Sequence, residues 1–279
     1  MHRTLLFTSI SLALVAAAPV KAGIIFSSGL PNGSIGMASH PGPTTGANQE
    51  VEAADDFVIT FNGTNITEIK FFGLLFGGGT IADVNDASAE IYRVFPLDST
   101  NPPDGRVPTR VNSPSDVAFE ERNLGDFTMI LSSLGPLTVL NSVVHGINPI
   151  PGQTTLGEGP VTGTEILVDL VLNTPITLPA GHYFFVPQIG LNTGTFLWLS
   201  GDRPLIGPSD TPINPDLQAW IRNATLDPDW LRVGTDIIGG ATPPTFNGAF
   251  ELDGTVPEPS TILLIVGGLG MLAVSRRRA

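Results

Sequence analysis

The chain has 279 residues, 32 glycines, 25 prolines and no cysteine, with a formal net charge of −13. Without disulfides the fold must rest on its own core. Arg3, Lys21 and Arg276 to Arg278 lie at the two ends, so the body up to Glu258 sets 8 basic residues against 26 acidic ones, a net charge of −18. Such a surface repels nucleic acid and anionic lipid, and is compatible with calcium or neutral polysaccharide.

In chain order, the first element is an address. Met1-His2-Arg3 is a short positive start, Leu5 to Ala18 is apolar, and Val20-Lys21-Ala22 before Gly23 fits a small-x-small cut with an unusual lysine in the middle. A competing cut after Ala16-Ala17-Ala18 is disfavoured by Pro19. Residues 1–22 therefore read as a signal helix for the Sec translocon, cleaved between Ala22 and Gly23, with an uncleaved anchor as the alternative. Residues 23–255 form the body, roughly 235 residues long, which suits one large all-β domain.

Along the body the apolar period is two. Phe57-Val58-Ile59-Thr60-Phe61 alternates and stops at Asn62-Gly63, a hairpin signal. Ile66 to Phe76 resumes the pattern and ends in Gly77-Gly78-Gly79. Further strands are expected at 89–95, 127–131, 137–144, 165–172, 183–186, 196–199, 218–222 and 249–252. In 165–172 the inward set is Ile166, Val168, Leu170 and Leu172, with Asp169 outward. Pro96 to Pro114 and Gly201 to Pro215 read as surface loops. Glycine and proline fall between the runs, no amphipathic helix of useful length is present, and no internal repeat divides the body. The expected fold is an all-β β-sandwich of jelly-roll type, with a signal helix before it and a short membrane helix after it.

Catalytic patterns are sparse. His40, His145 and His182 have no second histidine at metal-ligand spacing, and neither a Gly-x-Ser-x-Gly elbow nor a phosphate loop is present. No catalytic residue is assigned, and the expectation is a protein without enzymatic activity and without a cofactor. Asp55-Asp56 and Glu120-Glu121 could seat a glycosidase pair, which keeps a secreted carbohydrate-active enzyme as the alternative. Asp83, Asn85 and Asp86 cluster oxygen ligands suited to calcium, but lack the glycine and distal glutamate of an EF-hand. Trp198, Trp220 and Trp230 either form a polysaccharide-binding face or pack in the core.

The C-terminal segment, 256–279, is the most specific feature. In Val256-Pro257-Glu258-Pro259-Ser260-Thr261 two prolines hold the backbone extended, and helix can begin only after Pro259. Residues 260–275 are apolar apart from serine, threonine and glycine, and span roughly 24 Å as helix, short for a bilayer. Arg276-Arg277-Arg278 then form a basic stop on the cytoplasmic side, leaving the body outside. Motif, apolar run and basic stop together resemble the PEP-CTERM sorting signal of Gram-negative bacteria. That resemblance implies recognition by exosortase, cleavage near Pro-Glu-Pro, transient membrane anchoring through the helix, and delivery to the cell surface or extracellular matrix. Three body segments are loosely similar to the family's soluble region: Ala54-Asp55-Asp56-Phe57 with Ile66-Thr67-Glu68-Ile69, Leu178-Pro179-Ala180-Gly181-His182-Tyr183, and Ala249 to Gly254. They imply a β-sandwich and attach no activity to it.

Overall fold

The computed structural model describes residues 22–42, 49–101, 105–148, 150, 152–202 and 216–257. Their strands are β1 (Gly23–Ser27), β2 (Pro31–Ala38), β3 (Val51–Ile59), β4 (Thr64–Phe76), β5 (Val84–Arg93), β6 (Glu120–Asn123), β7 (Phe127–Val139) and β8 (Asn141–Val143). There follow β9 (Val161–Leu178), β10 (Gly181–Leu191), β11 (Thr195–Gly201), β12 (Trp220–Asn223), β13 (Leu231–Arg232), β14 (Asn247–Gly248) and β15 (Phe250–Thr255). Two sheets form. The larger runs β1-β15-β4-β11-β2-β8, with β14 on β11 and the long pair β9 and β7 continuing from β4; the smaller runs β13-β12-β3-β10-β5-β6. The chain is an all-β sandwich.

Strand alternation explains the core. On β9, Ile166, Val168, Leu170 and Leu172 are all buried, as their spacing predicts. On β3, Val51, Ala53, Phe57 and Ile59 enter the space between the sheets, whereas Ala54 belongs to a separate cluster on the far side. β10 does the same with Tyr183 and Phe185 inward and Phe184 and Val186 outward. The centre is aromatic: Phe250 lies 4.8 Å from Phe26 and 5.1 Å from Phe185 between ring centroids. Burial of rings this large supplies much of the stabilisation that disulfides give small exported domains.

Three expectations are corrected. Asn62-Gly63 does not close a hairpin, because β3 and β4 lie in different sheets. The turn instead crosses the sandwich: Gly63 has φ +78°, its N–H donates to Leu178 O at 3.0 Å, and Asn62 Oδ1 accepts from Ala180 N at 2.8 Å. The dipeptide supplies turn geometry in either setting, so sequence alone could not separate the two. Residues 127–139 form one strand, with the register slipping between Ser133 and Gly135 where the apolar pattern had broken. The third correction concerns the loop after Pro96, which packs against the outer face of the smaller sheet. Its Arg110 is 2% exposed and pairs with Asp116 at 2.5 Å and Asp229 at 2.7 Å. With Trp230 and Trp220 this region gives the smaller sheet a second, outer core.

Candidate functional site

The outer face of the smaller sheet carries a polar cluster beside that second core. Glu52 on β3 stands opposite Arg222 on β12 in the antiparallel register, and Glu90 and Tyr92 come from β5. Arg222 Nε and Nη2 both donate to the Glu52 carboxylate, the second at 3.0 Å. Arg222 Nη1 donates to Asp227 at 2.8 Å, and the guanidinium lies 4.3 Å from the centre of the Trp230 ring. The Tyr92 hydroxyl sits between two carboxylates, 2.9 Å from Glu52 and 2.7 Å from Glu90, and accepts from Arg222 Nη2 at 3.1 Å. A cavity of about 360 Å³ opens over this cluster, rimmed by Glu50, Asp116 and Glu121.

The proton count there is constrained. The Tyr92 hydroxyl has one hydrogen and cannot donate to both carboxylates. A protonated Glu90 resolves this, donating to Tyr92 while Tyr92 donates to Glu52. Burial, then the charge of Glu52, push Glu90 up to about 7. Burial likewise raises Tyr92, with Glu52 adding to it, so Tyr92 stays neutral. Burial acts to lower Arg222, but Glu52 outweighs it and the guanidinium remains charged.

None of the candidate carboxylates read from the sequence centres this cluster. Asp55 and Asp56 point to opposite faces of β3, and Glu120 and Glu121 lie on the sheet's edge strand, β6, where only Glu121 reaches the cavity rim. His182 bonds Asp56 at 2.5 Å. The one sequence signal for the cluster is that Glu52, Glu90 and Arg222 each stand next to an apolar strand residue, Ala53, Ile91 and Ile221, and both strands β3 and β5 carry other polar residues that dilute it. The calcium candidates are also placed differently from expectation. Asp83 ends a short 3-10 helix (Ile81–Asp83) and accepts from Thr80 Oγ1 at 2.6 Å, while Asn85 and Asp86 begin β5. Thr80 lowers the Asp83 carboxyl through that bond. Asn85 Nδ2 donates to Asn192 at 2.7 Å, and Asp86 Oδ1 accepts from Ala87 N. Among the described residues no group of three or more His, Cys, Asp and Glu side chains is arranged to hold a metal. Trp198, Trp220 and Trp230 are all fully buried, so no tryptophan face meets the solvent.

The two ends of the body meet. Gly23 pairs with Gly254 and Ile24 with Asp253, placing the first strand against the last. β15 lies between β1 and β4, and the chain leaves it through Thr255, half-buried Val256 and exposed Pro257, whose ring packs beside Gly63. Residues 255–279 match the PEP-CTERM protein-sorting motif. This chain carries a PEP-CTERM tail. No curated protein and no solved structure matches the chain.

The PEP-CTERM motif therefore follows the last strand directly, with no spacer. It supports an exported, surface-sorted protein with exosortase as processing partner. Glu258, Pro259, Ser260 and Thr261, the apolar run 260–275 and Arg276, Arg277 and Arg278 lie outside the described residues, as does the signal segment up to Lys21. Among the described residues no helix is long and apolar enough to cross a membrane. Ala22 and Gly23 are both exposed.

Proposed function

We propose that the chain is an exported surface or extracellular-matrix protein, cut from a Sec signal at Ala22-Gly23 and from its PEP-CTERM tail by exosortase, whose sandwich acts without catalysis. The observation that carries this reading is the Gly23–Gly254 pair. It sets the two expected cuts side by side at one end of the sandwich, so both membrane-directed segments leave the body together. A cut after Pro257 removes the tail and leaves all of β15 in its sheet. Mass spectrometry of the exported protein, from cells with and without exosortase, is the test. The expected product begins at Gly23 and ends close to Pro257 only when exosortase is present. A chain still ending at Arg278-Ala279 in exosortase-positive cells would sink the processing step.

One observation favours a second reading, a secreted carbohydrate-active enzyme. Glu52 and Glu90 share the Tyr92 hydroxyl in an open cavity, with an acid form on one and a guanidinium on the other. Paired carboxylates at about 5–5.5 Å serve retaining glycosidases in those roles. Against it, both oxygens of Glu52 are already engaged by Arg222, and one also by Tyr92. That occupancy supports the non-catalytic reading.

A further inference from the structure

The chain is strongly acidic, yet residues 127–157 contain no Asp, Glu, Lys or Arg. The first part of that run is β7, and β7 is an edge: among the described residues it pairs with β9 and with no other strand. An edge strand presents a row of backbone N–H and C=O groups, which proteins ordinarily guard with lysine, proline, a bulge or an inward charge. The second half of β7 is guarded in this way, by the register slip between Ser133 and Gly135 and by Pro136. The stretch before it, Phe127 to Ser133, carries none of these guards.

The outward row of that stretch is Thr128, Ile130 and Ser132, opposite Val171, Asp169 and Leu167 of β9. Ile130 is 49% exposed and Val171 40%, so apolar surface lies open along the edge. The inward residues Met129 and Leu131 are only half-buried where they pack on the core. The pattern is self-complementary. Laid antiparallel on a copy of itself about a twofold axis beside Ile130, the stretch sets Ile130 opposite Ile130, Thr128 opposite Ser132 and Met129 opposite Leu131. Apolar then meets apolar on both faces and hydroxyl meets hydroxyl, pairs that stabilise an antiparallel ladder by about 0.2–1 kcal/mol each.

Charge selects the occupant. The body carries a net charge of −18, so two copies repel over most of their surfaces. A strand without charge is where two such bodies can approach. The charge flanking Ile130, Asp169, stands one strand behind the edge. Its copy would lie three strand spacings away, about 14 Å, which is beyond the screening length in physiological salt. A cationic partner would find no counter-charge on the strand.

We propose that β7 is a homotypic docking strand: two copies of the chain pair antiparallel through Phe127 to Ser133, centred on Ile130, and the larger sheets of the two sandwiches run on into one another. A ladder of this length is small beside a standard interface, so the dimer is a weak one.

Sedimentation equilibrium on the protein as cells export it is the first test, with circular dichroism checking the fold of each variant. The wild type is expected to dimerise at concentrations up to about 0.3 mM. In Ile130→Lys the new side chain stands opposite Asp169 within the monomer, but two like charges meet across the axis, so at least tenfold weaker dimerisation is expected. The chain has no cysteine, so a single engineered one reports only on its own copy. Under mild oxidation Ile130→Cys is expected to yield a disulfide-linked dimer, and Val111→Cys, 63% exposed on the loop over the smaller sheet, to yield far less. A wild type that stays monomeric overturns the proposal. A dimer of full strength in folded Ile130→Lys does so too, because it places the contact elsewhere, as in a retained apolar tail. Equal cross-linking of the two cysteine variants also overturns it, and decides the matter alone if the lysine variant does not fold.

Discussion

Glu52 and Asp55 occupy the same strand, three residues apart, and both are almost wholly buried, yet the protein treats the two carboxylates in opposite ways. On the outer face Glu52 meets a guanidinium in a two-point contact and a tyrosine hydroxyl. On the inner face Asp55 meets two backbone N–H groups and two like charges, and keeps one oxygen without a donor. Burial alone therefore does not decide the charge state; the partners do. Glu52 has a counter-ion, Arg222, on each of its oxygens, and Asp55 is pushed toward its neutral form.

The largest effect is expected from removing the partner on the outer face. Arg222→Met leaves the Glu52 carboxylate buried without its counter-ion and strips the cation from the Trp230 ring. Breaking a buried pair in this way costs about 3–5 kcal/mol. Chemical denaturation at pH 7 should show that loss. A loss below about 1 kcal/mol would mean that the pair is solvated and the contrast with Asp55 is false.

The next effect has the opposite sign. The folded-state pKa of Asp55 is raised, so its contribution to stability is fully present below the unfolded value of 3.8 and is lost as pH rises through the folded value. Asp55→Asn keeps the shape and removes the ionisation. At pH 8 the variant should be more stable than the wild type by about 1–3 kcal/mol, the two converging near pH 4. Parallel stability–pH curves would show that Asp55 does not titrate across the folding transition.

The fold was legible in the sequence where a residue's neighbours were its own strand. The alternation at Ile166, Val168 and Leu170 gave both strand and face correctly, because a period of two needs only local reading. The Asn62-Gly63 turn misled because the same backbone geometry serves a hairpin and a crossing between sheets. The polar cluster was out of reach for a different reason. Glu52 and Arg222 are 170 positions apart in the chain, and only the register of β3 with β12 makes them a pair. The buried, unpartnered oxygens of Asp55, Gln218 and Asn247 needed more still, since the three residues come from separate segments. The PEP-CTERM tail was legible for the converse reason: motif, apolar run and basic stop are contiguous in the sequence and need no fold to bring them together.

The smallest effect tests the intermediate case. Glu90 has one good partner, Tyr92, and a like charge nearby in Glu52, so it stands between the paired and the unpaired carboxylate. Its raised value of about 7 means that its contribution is complete below the unfolded value of 4.5 and disappears as pH climbs through 7. Glu90→Gln should flatten the stability curve between pH 5 and pH 8, with the variant gaining on the wild type as pH rises through 7. An amide in place of the Glu90 carboxyl cannot act as an acid, so the same variant separates the two functional readings. If the sandwich is not an enzyme, reducing-end assays on extracellular polysaccharide give the same blank for both proteins. A wild-type hydrolysis that falls with the acid form above pH 7 and is abolished in Glu90→Gln would instead make the Tyr92-bridged pair a catalytic one. In that event the engaged oxygens of Glu52 would be a resting arrangement that substrate displaces, and the contrast on β3 would be between a working carboxylate and a structural one.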